Sequence, residues 1–268
     1  MREKAHSSHI LRVRPGIIIQ ECQRIEVAQE QEHTHDEQKE IEPYSALAAP
    51  APPPNLGNFV PRQEPSKVSL LIPFYNEGPF VQRAIDSAFK LLNNAESEIV
   101  AVNDGSVDDT RMKLDSITNP ILHKLHLTKS SGYTTAISEG IKNTDGEYVV
   151  VLDADIAPML FTIEPLISVL LESGATAVFL SRFPTKGFRK KLRQRFLSFL
   201  FFMLYRIRVN DVLPKCAIFK GSFARGFANA SVEGNFWLNI LYFIGKRKLS
   251  IREIPIQECL SSTYTNRV

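Results

Sequence analysis

Asp153 and Asp155, one residue apart, are the side chains whose type and spacing most directly suggest chemistry. Like charges that close repel unless a cation or ligand sits between them, and hard carboxylate oxygens suit Mg2+ or Mn2+. Ahead of them runs Tyr148-Val149-Val150-Val151-Leu152, an apolar stretch of the kind that fills the middle of a parallel sheet. The pair then stands at the C-terminal end of a strand, where ligands bind in open α/β sheets. Taken alone the motif has a second explanation: an Asp capping the next helix, with Ala154 to Pro158 as an ordinary turn.

Two other predicted strands end in the same way. VSLLIPFY runs into Pro73-Phe74-Tyr75-Asn76-Glu77-Gly78, and EIVAVND runs into Asn103-Asp104-Gly105-Ser106-Val107-Asp108-Asp109-Thr110. Singly each is a turn plus a helix cap, with Asp108 capping one helix and Asn76 or Glu77 serving the helix from Phe80. Together they place Glu77, Asp104, Asp153 and Asp155 along one sheet edge, converging on one crevice.

The elements that must position these residues follow an alternating pattern from Lys67 onward. Helical spacing covers Phe80–Leu92, about Asp108–Ile117, Tyr133–Lys142 and Ile163–Ser173; ILHKLHL and TAVFLS supply further strands, and LSIREIPIQECL a later one. Strands alternating with amphipathic helices predict an α/β fold with a mainly parallel sheet flanked by helices. Residues 1–66 differ. A Glu/Gln/His-rich run is followed by a Pro/Ala-rich stretch, which predicts a disordered tail and linker before a domain at 67–268.

Composition narrows the function classes. A net charge of +3 and no zinc-finger or RNA-binding motif argue against a nucleic-acid partner. Cys22, Cys216 and Cys259 form no CxxC pattern and read as reduced thiols of a cytosolic setting. No segment reaches the about 18 apolar residues of a membrane span.

SLLIPFYNEG, VAVNDGSVDDT, SGYTTAISEGI and GEYVVVLDADI together resemble the nucleotide-sugar half of inverting family 2 glycosyltransferases of GT-A (Rossmann-like) fold. The likeness runs from about Val68 to Arg182 and is closest to the polyprenyl-phosphate, or dolichol-phosphate mannosyltransferase, type. It implies a nucleotide-sugar half at about 67–182 and an acceptor- and membrane-facing half at about 183–268. It also implies that Pro73, Tyr75, Glu77, Asp104, Gly132, Asp153, Ala154 and Asp155 contact a GDP- or UDP-linked sugar, with Tyr75 and Glu77 facing base and ribose. Gly132 opens a small-residue turn with Thr134, Thr135 and Ala136, and Lys129 is nearby. Asp153 and Asp155 would hold Mg2+ or Mn2+, and Arg182 would lie near the diphosphate, completing the catalytic set. Asn103 stands where the family usually has Asp, Leu180 and Lys215 where it usually has Gly.

In the second half, Phe188 to Val209 places seven Lys or Arg around a Phe/Leu/Tyr block. This reads either as an interfacial helix among anionic headgroups or as a core helix with a basic turn. The resemblance favours the first and nominates Arg189, Arg193 and Arg195 as contacts to an acceptor phosphate. Asp211 matches an aspartate that follows such helices. Trp237 and Asn239 fall where acidic residues commonly occur, leaving Glu233 as the nearby carboxylate. A hydroxyl acceptor needs a general base, whereas an ionised phosphate needs none. The expectation is an inverting transferase acting on a polyprenyl phosphate, peripheral on the cytoplasmic membrane face, with any transmembrane anchor supplied by a partner subunit. The alternatives are a family 2 enzyme acting on a saccharide hydroxyl, and a catalytically weak nucleotide-sugar-binding protein.

Overall fold

The computed structural model describes residues 67–92, 96–181, 188–230 and 234–259. The expected tail at 1–66 lies outside the described residues, as do Arg182 and Glu233. Seven described strands form one sheet: β1 (Val68–Phe74), β2 (Glu98–Asn103), β3 (Leu122–His126), β4 (Tyr148–Leu152), β5 (Ala177–Ser181), β6 (Cys216–Lys220) and β7 (Ile251–Pro255). Their order is β3-β2-β1-β4-β6-β5-β7. Parallel pairing joins β1 to β2 and β4, β2 to β3, and β5 to β7, while β6 runs antiparallel between β4 and β5. The sheet is mainly parallel, as the alternation predicts, and the antiparallel β6 makes it mixed. One element differs. The strand β6, directly after Lys215, is absent from the strands expected from the sequence.

Every residue of β1, β2 and β4 is buried, as a central strand covered on both faces requires. The covering helices are α1 (Val81–Leu91), α2 (Thr110–Ser116), α3 (Tyr133–Lys142), α4 (Glu164–Ser173), α5 (Phe188–Tyr205), α6 (Gly221–Ala228) and α7 (Phe236–Lys246). On one face α1 and α4 bury Ala84, Ile85, Leu166 and Leu170 against Leu70, Ile72 and Val150. Under α6 and α7 lies an aromatic layer, with Phe236 edge-on to Phe219, Phe227 and Trp237 at centroid distances of 6.5, 5.8 and 5.1 Å. Much of the aromatic content of the second half is therefore core. Among the described residues no helix is long and apolar enough to cross a membrane.

The chain moves outward from β1 through β2 to β3, then returns to place β4 on the other side of β1. Open α/β sheets bind ligands at such a switch point, outside the carboxyl ends of the strands. Here the two strands also part: β1–β4 pairing ends at Leu71–Val151, while β1–β2 pairing continues to Phe74–Asn103. Pro73, which has no backbone donor, falls in the stretch where β4 no longer asks for one.

Helix α3 is seated on β1 and β2 through Gly140. A Cβ there would lie 2.3 Å from Leu71 Cδ1 and 2.8 Å from Val102 Cγ2. Both neighbours are fully buried. Gly140→Ala gains about 1 kcal/mol of helix propensity but forces overpacking that costs about 1–3 kcal/mol. Net destabilisation by urea unfolding is expected; a more stable variant would contradict this seating.

Candidate active site

The loops after β1 and β2 are stitched together over the switch point. The Asn76 amide donates to Ser106 Oγ (3.0 Å), and Asn76 Oδ1 accepts from the Val107 amide (2.9 Å), with Asn76 in the left-handed region at φ 53°. The Glu77 amide donates to Thr110 Oγ1 (2.9 Å) and the Gly78 amide to Asp108 Oδ2 (3.0 Å). Asp108 Oδ1 accepts from the Thr110 amide (3.0 Å), but the cap position of α2 is Asp109, whose side chain makes no cap bond, so the expected Asp108 cap lies one residue too early. Neither Asn76 nor Glu77 caps the next helix: the single turn at Gly78–Phe80 has no side-chain cap. Tyr75 stands half exposed at the rim.

Asp104 is buried, and its carboxylate accepts from the Ser131 amide (2.8 Å), the Gly132 amide (2.9 Å) and Ser130 Oγ (3.1 Å). It thus anchors the loop that leads into α3. Gly105, at φ 62°, lets that loop approach: a Cβ would fall 2.3 Å from the Lys129 carbonyl carbon. Asn103 is also buried, its Oδ1 accepting from the Ser106 amide (3.1 Å), with its side-chain amide 3.3 Å from His126 Nδ1. Here the Asn keeps a local turn that an Asp could also hold. Gly132 (φ 88°, ψ 153°) then starts α3, whose N-terminus favours negative charge nearby.

Asp153 and Asp155 follow β4 as expected, with Ala154 buried between them. The Tyr133 hydroxyl donates to Asp153 Oδ1 at 2.6 Å. Burial and the Asp153 charge push the Tyr133 phenol well above its ordinary range, so it remains a donor. Thr134 Oγ1 donates to the Gly234 carbonyl, tying the start of α7 to the start of α3. Lys215 meets the pair from β6: its carbonyl accepts from the Asp153 amide (3.0 Å), and its ammonium is ion-paired with Asp155.

Glu77 is largely buried, and burial, followed by the charges of Asp155 and Asp153, raises its pKa from 4.5 to about 8. Its Oε2 is buried without a hydrogen-bond partner among the described residues. An orphaned acceptor beside two hard carboxylates fits a cationic or hydroxyl-bearing ligand. Among the described residues no three His, Cys, Asp or Glu side chains form a complete metal cage. Two carboxylates fit Mg2+ or Mn2+ bound in the manner that takes its remaining ligands from phosphate and water.

The structure thus brings together Pro73, Tyr75, Glu77, Asp104, Gly132, Asp153, Ala154 and Asp155 around the ends of β1, β2 and β4 and the start of α3. Ser181 ends β5, and Arg182 lies outside the described residues. Arg189 and Arg193 fall in α5, but their side chains are outside the described ones; Arg195 is exposed. No local sequence pattern marks Tyr133 as a partner of Asp153 or Lys215 as a partner of Asp155; both contacts arise from the tertiary fold.

The sequence profile described as glycosyl transferase family 2 matches residues 69–232, more than half of the chain. The chain belongs to glycosyltransferase family 2. Within that family it is 37% identical over 94 residues to poly-beta-1,6-N-acetyl-D-glucosamine synthase of Staphylococcus epidermidis, covering 35% of this chain and 23% of that one. It is 31% identical over 121 residues to bactoprenol glucosyl transferase of Shigella phage SfX, covering 43% and 39%. The chain therefore spans well under half the length of these curated relatives. Glucosyl-3-phosphoglycerate synthase from Mycobacterium tuberculosis, solved with Mn2+, UDP-glucose and phosphoglyceric acid, superposes with a TM-score of 0.55 at 18% identity. The match covers 71% of this chain and 70% of that one, which shows the shared fold. The GT-A arrangement expected from the sequence is the one observed.

The raised Glu77 pKa gives stability a dependence on pH of definite sign. Between about 4.5 and about 8 the unfolded chain has lost this proton while the folded chain retains it. Stability is therefore full below the lower value, falls as pH rises through this window and levels off above it. At about 1.4 kcal/mol for each tenfold, the difference between 4.5 and about 8 makes the group's share on the order of 5 kcal/mol. Urea unfolding in EDTA at pH 5, 6.5 and 8 is expected to show Glu77→Gln with a flatter pH dependence than wild type. Equal slopes would contradict the assignment.

Proposed function

We propose that this protein transfers one sugar from a GDP- or UDP-linked donor to a polyprenyl phosphate, with inversion, at a membrane surface. The observation that carries the reading is the convergence of Glu77, Asp153 and Asp155 at the β1/β4 switch point, facing the N-terminus of α3. Glu77 and Tyr75 suit the ribose and base: a buried carboxylate oxygen without a partner accepts readily from ribose hydroxyls. Asp104 acts by holding the loop that carries Gly132, which sets the helix N-terminus toward the diphosphate. Asp153 and Asp155 would hold Mg2+ or Mn2+, which when bound offsets the charge collecting on the leaving diphosphate. Tyr133 keeps the Asp153 carboxylate oriented. An acceptor phosphate oxygen attacks the anomeric carbon as the bond to the diphosphate oxygen breaks, and the electron pair leaves with the nucleoside diphosphate.

A phosphate acceptor is favoured by what α7 presents. Trp237, standing where an acidic residue commonly occurs, is buried against Tyr133 and Phe179, and α7 (FWLNILYFIGK) contains no carboxylate to serve as base. The similarity to a bactoprenol glucosyl transferase supports the same acceptor class, since bactoprenol is a polyprenol.

Membrane association is supported by α5. Phe196, Phe199 and Met203 stand on one helical face and are 60%, 58% and 58% exposed, whereas Phe201 on another face is buried. Exposed Arg195 adjoins this stripe, and Arg206 and Arg208 lie over the Phe202 ring at 6.0 and 5.1 Å. Arg189, Arg193 and Arg195 are the proposed contacts to the lipid phosphate.

Incubation with labelled GDP- and UDP-sugars, Mn2+ and short-chain polyprenyl phosphate is expected to give a lipid-linked product. Transfer to saccharides alone would favour a hydroxyl acceptor with Glu233 as base, and donor binding without any turnover would favour a binding protein. Either result overturns the proposal. Asp155→Ala is expected to lower turnover about a hundredfold or more with the fold retained. The triple replacement of Phe196, Phe199 and Met203 by Ser is expected to weaken sedimentation with anionic vesicles by about tenfold or more; unchanged sedimentation would remove α5 from the membrane face.

A further inference from the structure

Lys215 is fixed to the aspartate pair at both ends. Antiparallel pairing of Leu152 with Cys216 puts residue 215 opposite residue 153, and the Lys215 carbonyl holds the Asp153 amide. Its side chain, 25% exposed, reaches across to Asp155, which is 45% exposed. A cation of this chain thus already sits on one of the two carboxylates that a divalent ion would use. For the ion to take Asp155, the ammonium must give it up. Giving up this direct ion pair costs a partly buried ammonium its partner, so metal binding carries that cost. A nucleoside diphosphate changes the balance. Lysine is a flexible point-charge donor suited to phosphate, and a diphosphate at the α3 N-terminus offers the anion that Asp155 withdraws.

We propose that Lys215 is a tethered counter-ion that competes with the divalent metal for Asp155 and passes to the donor's diphosphate when the nucleotide binds, so that metal and donor enter together. The two ligands then raise each other's affinity, as any shared coupling requires. The proposal rests on the donor site described above. It makes Lys215 a binding residue whose removal acts in opposite directions on the two ligands.

Mn2+ binding is read by electron paramagnetic resonance on the protein alone, and UDP and GDP binding by calorimetry in EDTA, for wild type, Lys215→Ala, Lys215→Gln and Lys215→Arg. The two neutral variants are expected to bind Mn2+ about tenfold more tightly than wild type and to bind nucleotide in EDTA several-fold more weakly. Lys215→Arg, which keeps the charge, is expected to stay near wild type for Mn2+. A general loosening of the site would weaken both ligands, so the opposite signs separate a counter-ion from a structural residue. Unchanged or weaker Mn2+ binding in the folded neutral variants would overturn the competition. Failure of wild type to bind nucleotide in EDTA, while binding it with Mn2+, would overturn the transfer to diphosphate. Failure to bind nucleotide under either condition would sink the donor-site reading, and the Mn2+ titration would still decide the competition for Asp155.

Discussion

Negative charge gathered where β1 and β4 part is the constraint on which the rest of the site depends. Two aspartates stand one residue apart after β4, and Glu77 faces them from β1. Such a cluster raises the free energy of the folded chain unless each charge is answered. The protein answers each differently. Glu77 keeps its proton into the neutral range, Asp153 receives the Tyr133 hydroxyl, and Asp155 receives the Lys215 ammonium. These are the groups that a nucleotide and a cation would displace or engage, so the relief of repulsion and the capacity to bind share one set of atoms.

The surrounding structure serves to hold that cluster open toward solvent. Pairing between β1 and β4 stops before Pro73, and the loops after β1 and β2 are bonded to each other by Asn76, Ser106, Asp108 and Thr110. Asp104 commits its carboxylate to the loop entering α3, so a residue expected to contact the nucleotide sugar also holds Gly132 in place. Behind α3, the aromatic layer of Phe219, Phe236 and Trp237 fixes the start of α7 against Tyr133. A rigid backing of this kind lets three carboxylates hold fixed geometry at an edge otherwise made of loops.

Much of this was legible because the signals are local. Buried runs such as Val149-Val150-Val151 have the composition of central strands, α3 has the helical period, and Asp153 and Asp155 adjoin a strand end. What escaped was set by pairing across long separations. Cys216–Phe219 is a four-residue apolar run without alternation, and only its place between β4 and β5 makes it a strand. The Lys215–Asp155 contact spans 60 residues and exists because β6 runs antiparallel beside β4. Tyr133 looked like an ordinary first residue of a helix, and Trp237 like a missing carboxylate. The Tyr133 bond to Asp153 is a tertiary fact with no sequence period behind it.

The most direct test of the account is a crystal structure grown with UDP or GDP and Mn2+. The diphosphate is expected outside the C-terminal ends of β1 and β4, with Mn2+ on Asp155 and the Lys215 ammonium moved from that carboxylate to a phosphate oxygen. A nucleotide bound elsewhere, or bound here with Lys215 still seated on Asp155, would contradict it.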